Sequence, residues 1–496
     1  MTDSTPQRLD LLIHAADAGA TFLSWILMEE PFTQNAARLD TEPLVAALKR
    51  LESSLITLSG DGGDTAEGTV RHALTGGALA GREAERDLAR ELSRAVLPTR
   101  LRELIAGLDE RKVDLRLRIT PSPRLARVPW ELLSTDVESD EPKRLVEIAQ
   151  IIMDPPVTVH ADRSRLPRPW AEVRNFPALH IIDPALPDSA RVAGYGQTTT
   201  SRGDLITTIG KARRDGTTVQ GDGFPVLRKT VSRVDLAQKL QNTPDLSRLL
   251  YFGHISSSSD EPGSASLHLS DVYWSGPKAD HDPSAVWGMS EPVRPTTDGG
   301  DGYAHPAQPG NHMPLSALDL LLGTLLADDP EAHALYGRTE PTPGHQIWPM
   351  PPRVAMIACE GGVDYRSAET FGLVMAMIDA GAELVTTTRW PLPTDYAFAT
   401  LEHPENGRST RPPATGPTTQ AALAIDAAHR EDDAVAQIRK WQLDKLRRWR
   451  ATGDLADTPL VWAAVATTLA PARPDALVPA PDEQPTTQGA LNGTHD

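Results

Sequence analysis

The sequence predicts an α/β domain built on a mostly parallel sheet, and three observations carry that prediction. Four short apolar runs, 178–183 (ALHIID), 248–254 (RLLYFGH), 353–359 (RVAMIAC) and 383–388 (ELVTTT), are bounded by polar, Pro or Gly residues, as strands covered on both faces are. Helical spacing separates some of them. Val234, Leu236 and Leu240 precede the second run, and Phe371, Val374, Met375 and Ile378 lie between the third and fourth, with Gly381 placed to end that helix. A strand, helix, strand succession implies right-handed crossovers and hence parallel neighbours.

Taken in order, residues 7–110 read as helices. Leu9, Leu11, Leu12, Ile13 and Ala16 begin an apolar stripe; Leu44, Leu48, Leu51 and Leu55 continue it at helical spacing; Leu88, Leu92, Val96 and Leu97 mark a second run. At Val113 the period changes to two: Val113, Leu115, Leu117 and Ile119 alternate with Asp114, Arg116 and Arg118, a half-buried strand. A further strand over 146–153 suggests a hairpin at a sheet edge. Stretches 257–312 and 327–352 are rich in Ser, Asp, Pro and Gly and read as long inserted loops. One long helix is expected over 418–452, stopped by Gly453, then a final strand over 459–465 and a Pro-, Ala- and Gln-rich disordered tail from 471. The expected division is a helical region over 1–110 that regulates or docks a partner, an α/β domain over 111–470 with an insert at about 257–352, and a tail over 471–496.

Composition narrows the function. With a formal net charge of -18 over 496 residues, the chain lacks the basic surface that direct nucleic-acid binding needs. It contains one cysteine, so no intrachain disulfide forms, which fits a reducing, cytoplasmic setting. No signal segment or membrane span is expected. No HExxH, CxxC or Walker A pattern occurs, and His312 and His345 lack zinc spacing, so neither metal nor cofactor is expected. His180, inside a predicted strand, reads as core.

In an open α/β sheet, sites form at the carboxyl ends of the strands. Two predicted strands end on reactive side chains: RLLYFGH on His254 and RVAMIAC on Cys359. If these strands are neighbours, the imidazole meets the thiol, takes its proton and makes a thiolate available at neutral pH. Glu360-Gly361-Gly362 follows the cysteine, and glycines there allow a sharp turn that aims the Cys359 amide at a developing oxyanion.

Ala358-Cys359-Glu360-Gly361 is close to the caspase signature Q-A-C-[RQG]-G. The longer string IACEGGVDYRSAETFGLVMAMIDAGAELVTTTRWPLPTD resembles the CHAT domains, bacterial relatives of caspases and separase. Gly372-Leu373, Ala380-Gly381-Ala382, Trp390-Pro391 and Asp395 fill that family's places in order, Val-Pro-Trp-Glu-Leu-Leu at 128–133 looks like its start, and Trp462-Ala463-Ala464 looks like its final strand. The resemblance covers roughly 112–470. It implies a caspase-like three-layer sandwich, peptide-bond hydrolysis with Cys359 as nucleophile and His254 as general base, a protein substrate, and a regulatory partner in a bacterial defence or signalling system. The chain departs from the pattern twice. Ile255 stands where a glycine amide usually completes the oxyanion hole, so the Ile255 amide is expected to serve there, and 105 positions separate His254 from Cys359, against about 50 in caspases.

The same resemblance places Asp183 beside the pocket for the residue before the cleaved bond, which favours Arg or Lys; a turn-forming Asp before Pro184 is the other reading. Thr388-Arg389-Trp390 resembles the strand that takes up substrate backbone by strand addition along 385–390, with Trp390 walling a pocket and Arg389 selecting an acidic side chain. Asp183 and Arg389 point to opposite specificities. A catalytically silent scaffold is the alternative function, and an acyltransferase using the same pair is a third.

Overall fold

The four apolar runs form four consecutive parallel strands in one large sheet. The computed structural model describes residues 8–30, 34–56, 66–156, 159, 163–187, 225–226, 230–243, 245–256, 263–273, 285–286, 288–290, 310–358, 370–402 and 416–470. In chain order the sheet strands are β1 (Arg8–Ala18), β2 (Ala20–Leu27), β3 (Asn35–Arg38), β4 (Asp114–Thr120), β5 (Ala149–Met153), β6 (Ala178–Ile182), β7 (Pro225–Val226), β8 (Arg248–Gly253), β9 (Arg353–Ala358), β10 (Leu384–Thr388) and β11 (Val465–Leu469). They lie in the order β3-β2-β1-β4-β5-β11-β10-β9-β8-β6-β7. Neighbours are parallel except β3–β2, β2–β1 and β11–β10.

Side-chain alternation divides the core between the two faces of this sheet. Leu249 and Tyr251 of β8, with Val354, Met356 and Ala358 of β9, join one cluster. Leu250 and Phe252, with Ala355 and Ile357, join the other. The first cluster is completed by α5 (Arg233–Asn242), α6 (Ala317–Leu322) and α7 (Thr370–Asp379). The second is completed by α1 (Thr41–Glu52), α3 (Arg82–Val96), α4 (Thr99–Glu110), α9 (Pro417–Ala428) and α10 (Ala434–Thr452). The result is a helix, sheet, helix α/β fold. Two further helices, α2 (Ala66–Thr75) and α8 (Asp395–Glu402), pack against each other and add Val70, Ala73, Leu74 and Phe398 to the second cluster.

The structure corrects several sequence expectations. Residues 8–27 are a β-hairpin rather than a helix. Leu11, Ile13 and Ala15 are buried between exposed His14 and Ala16, and Gly19 at φ +72° makes the tight turn to β2. The stripe Leu9, Leu11, Leu12, Ile13 and Ala16 satisfies period two as well as period 3.6, and pairing decides: β1 joins β4 in parallel. The boundary expected at 110 therefore runs through a continuous sheet. β4 and β5 are parallel interior strands, not an edge hairpin. The helix expected over 418–452 breaks into α9 and α10, and 459–462 is a helical turn, so the final strand begins at Val465. Gly453 does end α10, at φ +68°.

The insert is also more than loop. Its strand residues 266–267 pair with both 255–256 and 315–316, and Leu267, Leu315, Leu320 and Trp348 are buried in the main core. Residues 257–262 and most of 274–309 lie outside the described residues, as does the tail expected to be disordered.

Because β1 is a core strand, Leu11→Ala is expected to cost about 2–5 kcal/mol, and exposed His14→Ala to stay within about 0.5 kcal/mol. Guanidinium unfolding of the two variants checks this.

Candidate active site

Parallel pairing brings the carboxyl ends of three strands level. The register aligns Ile182 with Phe252 and Gly253 with Ala358, so Asp183 and His254 leave the sheet at one rim. The Asp183 N–H still donates to the Phe252 carbonyl at 2.7 Å. Cys359, the expected nucleophile, comes directly after Ala358 in sequence; it and the 360–362 turn lie outside the described residues. Ala358 itself is held on both sides: its N–H donates to Thr388 Oγ1 at 3.3 Å, and its carbonyl accepts from Leu392 N at 3.0 Å.

His254 is 1% exposed. Its carbonyl accepts from the Tyr251 hydroxyl at 2.7 Å and from His268 N at 3.0 Å, and the same hydroxyl lies 2.9 Å from the His268 carbonyl. Gly253 is required by this arrangement: a Cβ there would stand 2.7 Å from Tyr251 Oη and 3.3 Å from Pro184 Cδ. Ile255, proposed from sequence as an oxyanion donor, packs its side chain into the core and pairs with Leu267.

Behind His254 stands a cluster the sequence reading missed. The His268 ring lies 6.4 Å from the His254 ring at an interplanar angle of 69°. His268 Nε2 is 2.7 Å from Ser256 Oγ, His268 Nδ1 is 3.1 Å from His312 Nε2, and His312 Nδ1 is 3.0 Å from the Asp271 carbonyl. Burial pushes His268 well below the ordinary imidazole value, with His312 and His254 adding to the effect. Burial likewise lowers His312 to about 4 and raises the Asp271 carboxyl to about 7 despite neighbouring Arg233. The signal available in sequence was weak: two histidines within the insert, 44 positions apart, with His281 and His305 between them. Among the described residues, no group of three His, Cys, Asp or Glu is arranged to hold a metal ion.

Asp183 is 1% exposed and adopts φ +44°, a left-handed conformation uncommon outside glycine but tolerated by Asp. Among the described residues, neither carboxylate oxygen has a hydrogen-bond partner. A buried carboxylate in that state carries a desolvation cost that a cation would offset.

The segment 388–390, expected to take up substrate, is built inward here. β10 is paired with β9 on one edge and β11 on the other, so no edge is open for strand addition over 384–388. Thr388 is spent on Ala358. The Arg389 guanidinium donates to Glu131 Oε1 at 3.0 Å and to the Ala463 carbonyl at 3.0 Å, and its Nη1 lies 2.8 Å from Glu131 Oε2. Both side chains are under 5% exposed. The Trp390 indole donates to the Leu460 carbonyl at 2.8 Å in the core. These residues brace the strand ends. His180, expected in the core, lies there, 3.1 Å from Asp426, which also accepts from Arg248.

Two predictions follow from these charges. Glu131→Ala strands the Arg389 charge and is expected to cost about 3–5 kcal/mol in denaturant unfolding. Acid should also destabilise the fold. His268, His312 and His429 are held neutral by burial, His312 down to about 4 and His429 to about 3. The unfolded chain therefore binds their protons first as the pH falls below 6.5, and each contributes a loss of about 1.4 kcal/mol per pH unit. Asp271, raised to about 7, and Glu383, also raised by burial, act in the opposite sense. The three imidazoles outweigh them, so stability measured by denaturant titration should fall between about pH 6.5 and about pH 4.

No family model matches the chain, and no curated protein matches it in sequence. Among solved structures it is similar to separase in two separase–securin complexes of Saccharomyces cerevisiae. They are 9% and 10% identical, with TM-scores of 0.41 and 0.37, and each match covers 92% of this chain. The chain spans 30% of the length of either separase chain.

Proposed function

We propose that this chain is a cysteine endopeptidase that cuts after a basic residue, with Cys359 as nucleophile, His254 as general base and Asp183 as the floor of the specificity pocket. The observation that carries this reading is Asp183: a buried carboxylate with no hydrogen-bond partner among the described residues, in a left-handed conformation, one residue beyond the strand next to the one that leads to His254. A Lys or Arg side chain supplies the charge such a group lacks.

In the reaction, His254 takes the Cys359 thiol proton and the thiolate sulfur attacks the peptide carbonyl carbon. Main-chain amides near 255 and 359 bear the oxyanion. The C–N bond breaks as His254 returns the proton to the leaving amine, and a water activated by His254 then hydrolyses the thioester. The 1% exposure of His254 favours a resting form that opens when a regulatory partner or substrate arrives, in keeping with the resemblance to regulated bacterial proteases. A silent CHAT-fold scaffold is the alternative.

With one cysteine in the chain, alkylation reports on Cys359 alone. Rapid reaction with iodoacetamide at neutral pH, slowed in His254→Ala, is the expected result; a sluggish thiol indifferent to that substitution would sink the protease reading in favour of the scaffold. On peptide substrates, Asp183→Asn should lower kcat/KM for a basic residue before the cleaved bond by about thirtyfold or more, as loss of a buried charge pair does. Because Asn tolerates the left-handed conformation, the variant should melt no lower than wild type. Equal loss on acidic and basic peptides would remove Asp183 from the pocket.

A further inference from the structure

We propose that His268 is a positioning residue for His254, locked in one tautomer by Ser256 and His312, so that the insert holds the general base in place. The inference rests on the reading of His254 as the base. Geometry fixes each proton in the chain of hydrogen bonds. His312 Nδ1 faces the Asp271 carbonyl at 3.0 Å, and a carbonyl only accepts, so Nδ1 carries the proton and Nε2 is a lone pair. His268 Nδ1, 3.1 Å away, must then be the donor, which leaves His268 Nε2 as acceptor for the Ser256 hydroxyl at 2.7 Å. The run is Ser256 to His268 to His312 to Asp271, and no other neutral arrangement satisfies all three contacts.

This run grips the segment that carries the base. Residue 268 touches 254–256 in three ways: its N–H bonds the His254 carbonyl at 3.0 Å, its ring stands edge-on to the His254 ring, and its Nε2 holds Ser256. Tyr251 adds a fourth link by placing one hydroxyl between the carbonyls of 254 and 268. His268 and His312 are both fully buried. Ser256 is not a second nucleophile on this geometry. Taking its proton would create an imidazolium at His268 in full burial, with only neutral His312 behind it. The charged and titratable groups facing the run are His254, Asp271 on its own loop, Arg233 from α5, and, through Arg233, Asp319 of α6 and Tyr336.

The test is the pH–rate profile of Cys359 alkylation by iodoacetamide in the full chain. His268→Leu removes both ring contacts, whereas His268→Gln offers an acceptor to Ser256. The Leu variant is expected to alkylate at least threefold more slowly at pH 7, with its profile moved toward that of His254→Ala, and the Gln variant to lie within twofold of wild type. A folded Leu variant with the wild-type profile overturns the proposal while leaving the role of His254 intact. If the Leu variant does not fold, Ser256→Ala carries the decision: a displaced profile supports the lock and an unchanged one overturns it. If His254→Ala itself leaves alkylation unchanged, the base assignment fails and takes this inference with it.

Discussion

The level, parallel pairing of β6, β8 and β9 is the constraint on which the rest of the molecule depends. Main-chain hydrogen bonds fix Ile182 beside Phe252 and Gly253 beside Ala358. A shift of one residue on any of these strands would turn every side chain to the opposite face. Since each strand is buried on both faces, such a slip would bring Arg248 or Arg353 off its partners and misalign two clusters at once. The register is therefore strongly specified, and with it the rim where Asp183 and His254 emerge.

The amino ends of the same strands are held by charge rather than by apolar packing. Asp426 of α9 accepts from Arg248 and lies 3.1 Å from His180, and its carboxyl is held far below the ordinary range because the cations outweigh burial. Arg353, at the start of β9, donates to the carbonyls of His429 and Asp432 and stacks 3.5 Å from the Trp170 ring centroid. One pole of the sheet is thus tied together by ion pairs and hydrogen bonds. At the other, the buried Asp183 carboxylate is left without a hydrogen bond among the described residues. That contrast distinguishes a structural polar cluster from a candidate site: both are buried and polar, and among the described residues the Asp183 carboxylate has no hydrogen-bond partner.

Several residues that carry the family resemblance have mechanical roles here. Glu131 of the Val-Pro-Trp-Glu run is the partner of Arg389, joining the segment after β4 to the end of β10. Asp395 accepts from Thr418 N and from the Thr419 hydroxyl at the start of α9, and Gly416 lies against it so closely that a Cβ would stand 2.2 Å from the carboxyl carbon. Trp462 is fully buried and donates to the Asp457 carbonyl. The motif order along the chain records which distant segments meet. Thr388, Arg389 and Trp390 were expected from the motif to form a binding strand, and in this structure their hydrogen bonds brace the strand ends.

By itself the sequence determined the four consecutive parallel strands, the helices α5 and α7 between some of them, and His254 at a strand end, because short apolar runs and helical spacing are local patterns. It did not determine the N-terminal hairpin, since Leu9 to Ala16 satisfies both periods and only pairing with β4 chose between them. It did not reveal that Arg389 faces inward, because the sign of a charge says nothing of the partner 258 positions away. Nor did it bring His268 and His312 behind His254. Those contacts join the end of β8 to segments within the insert, and only the tertiary fold, by closing those loops, decides which buried polar atoms find partners and which, like the carboxylate of Asp183, find none among the described residues.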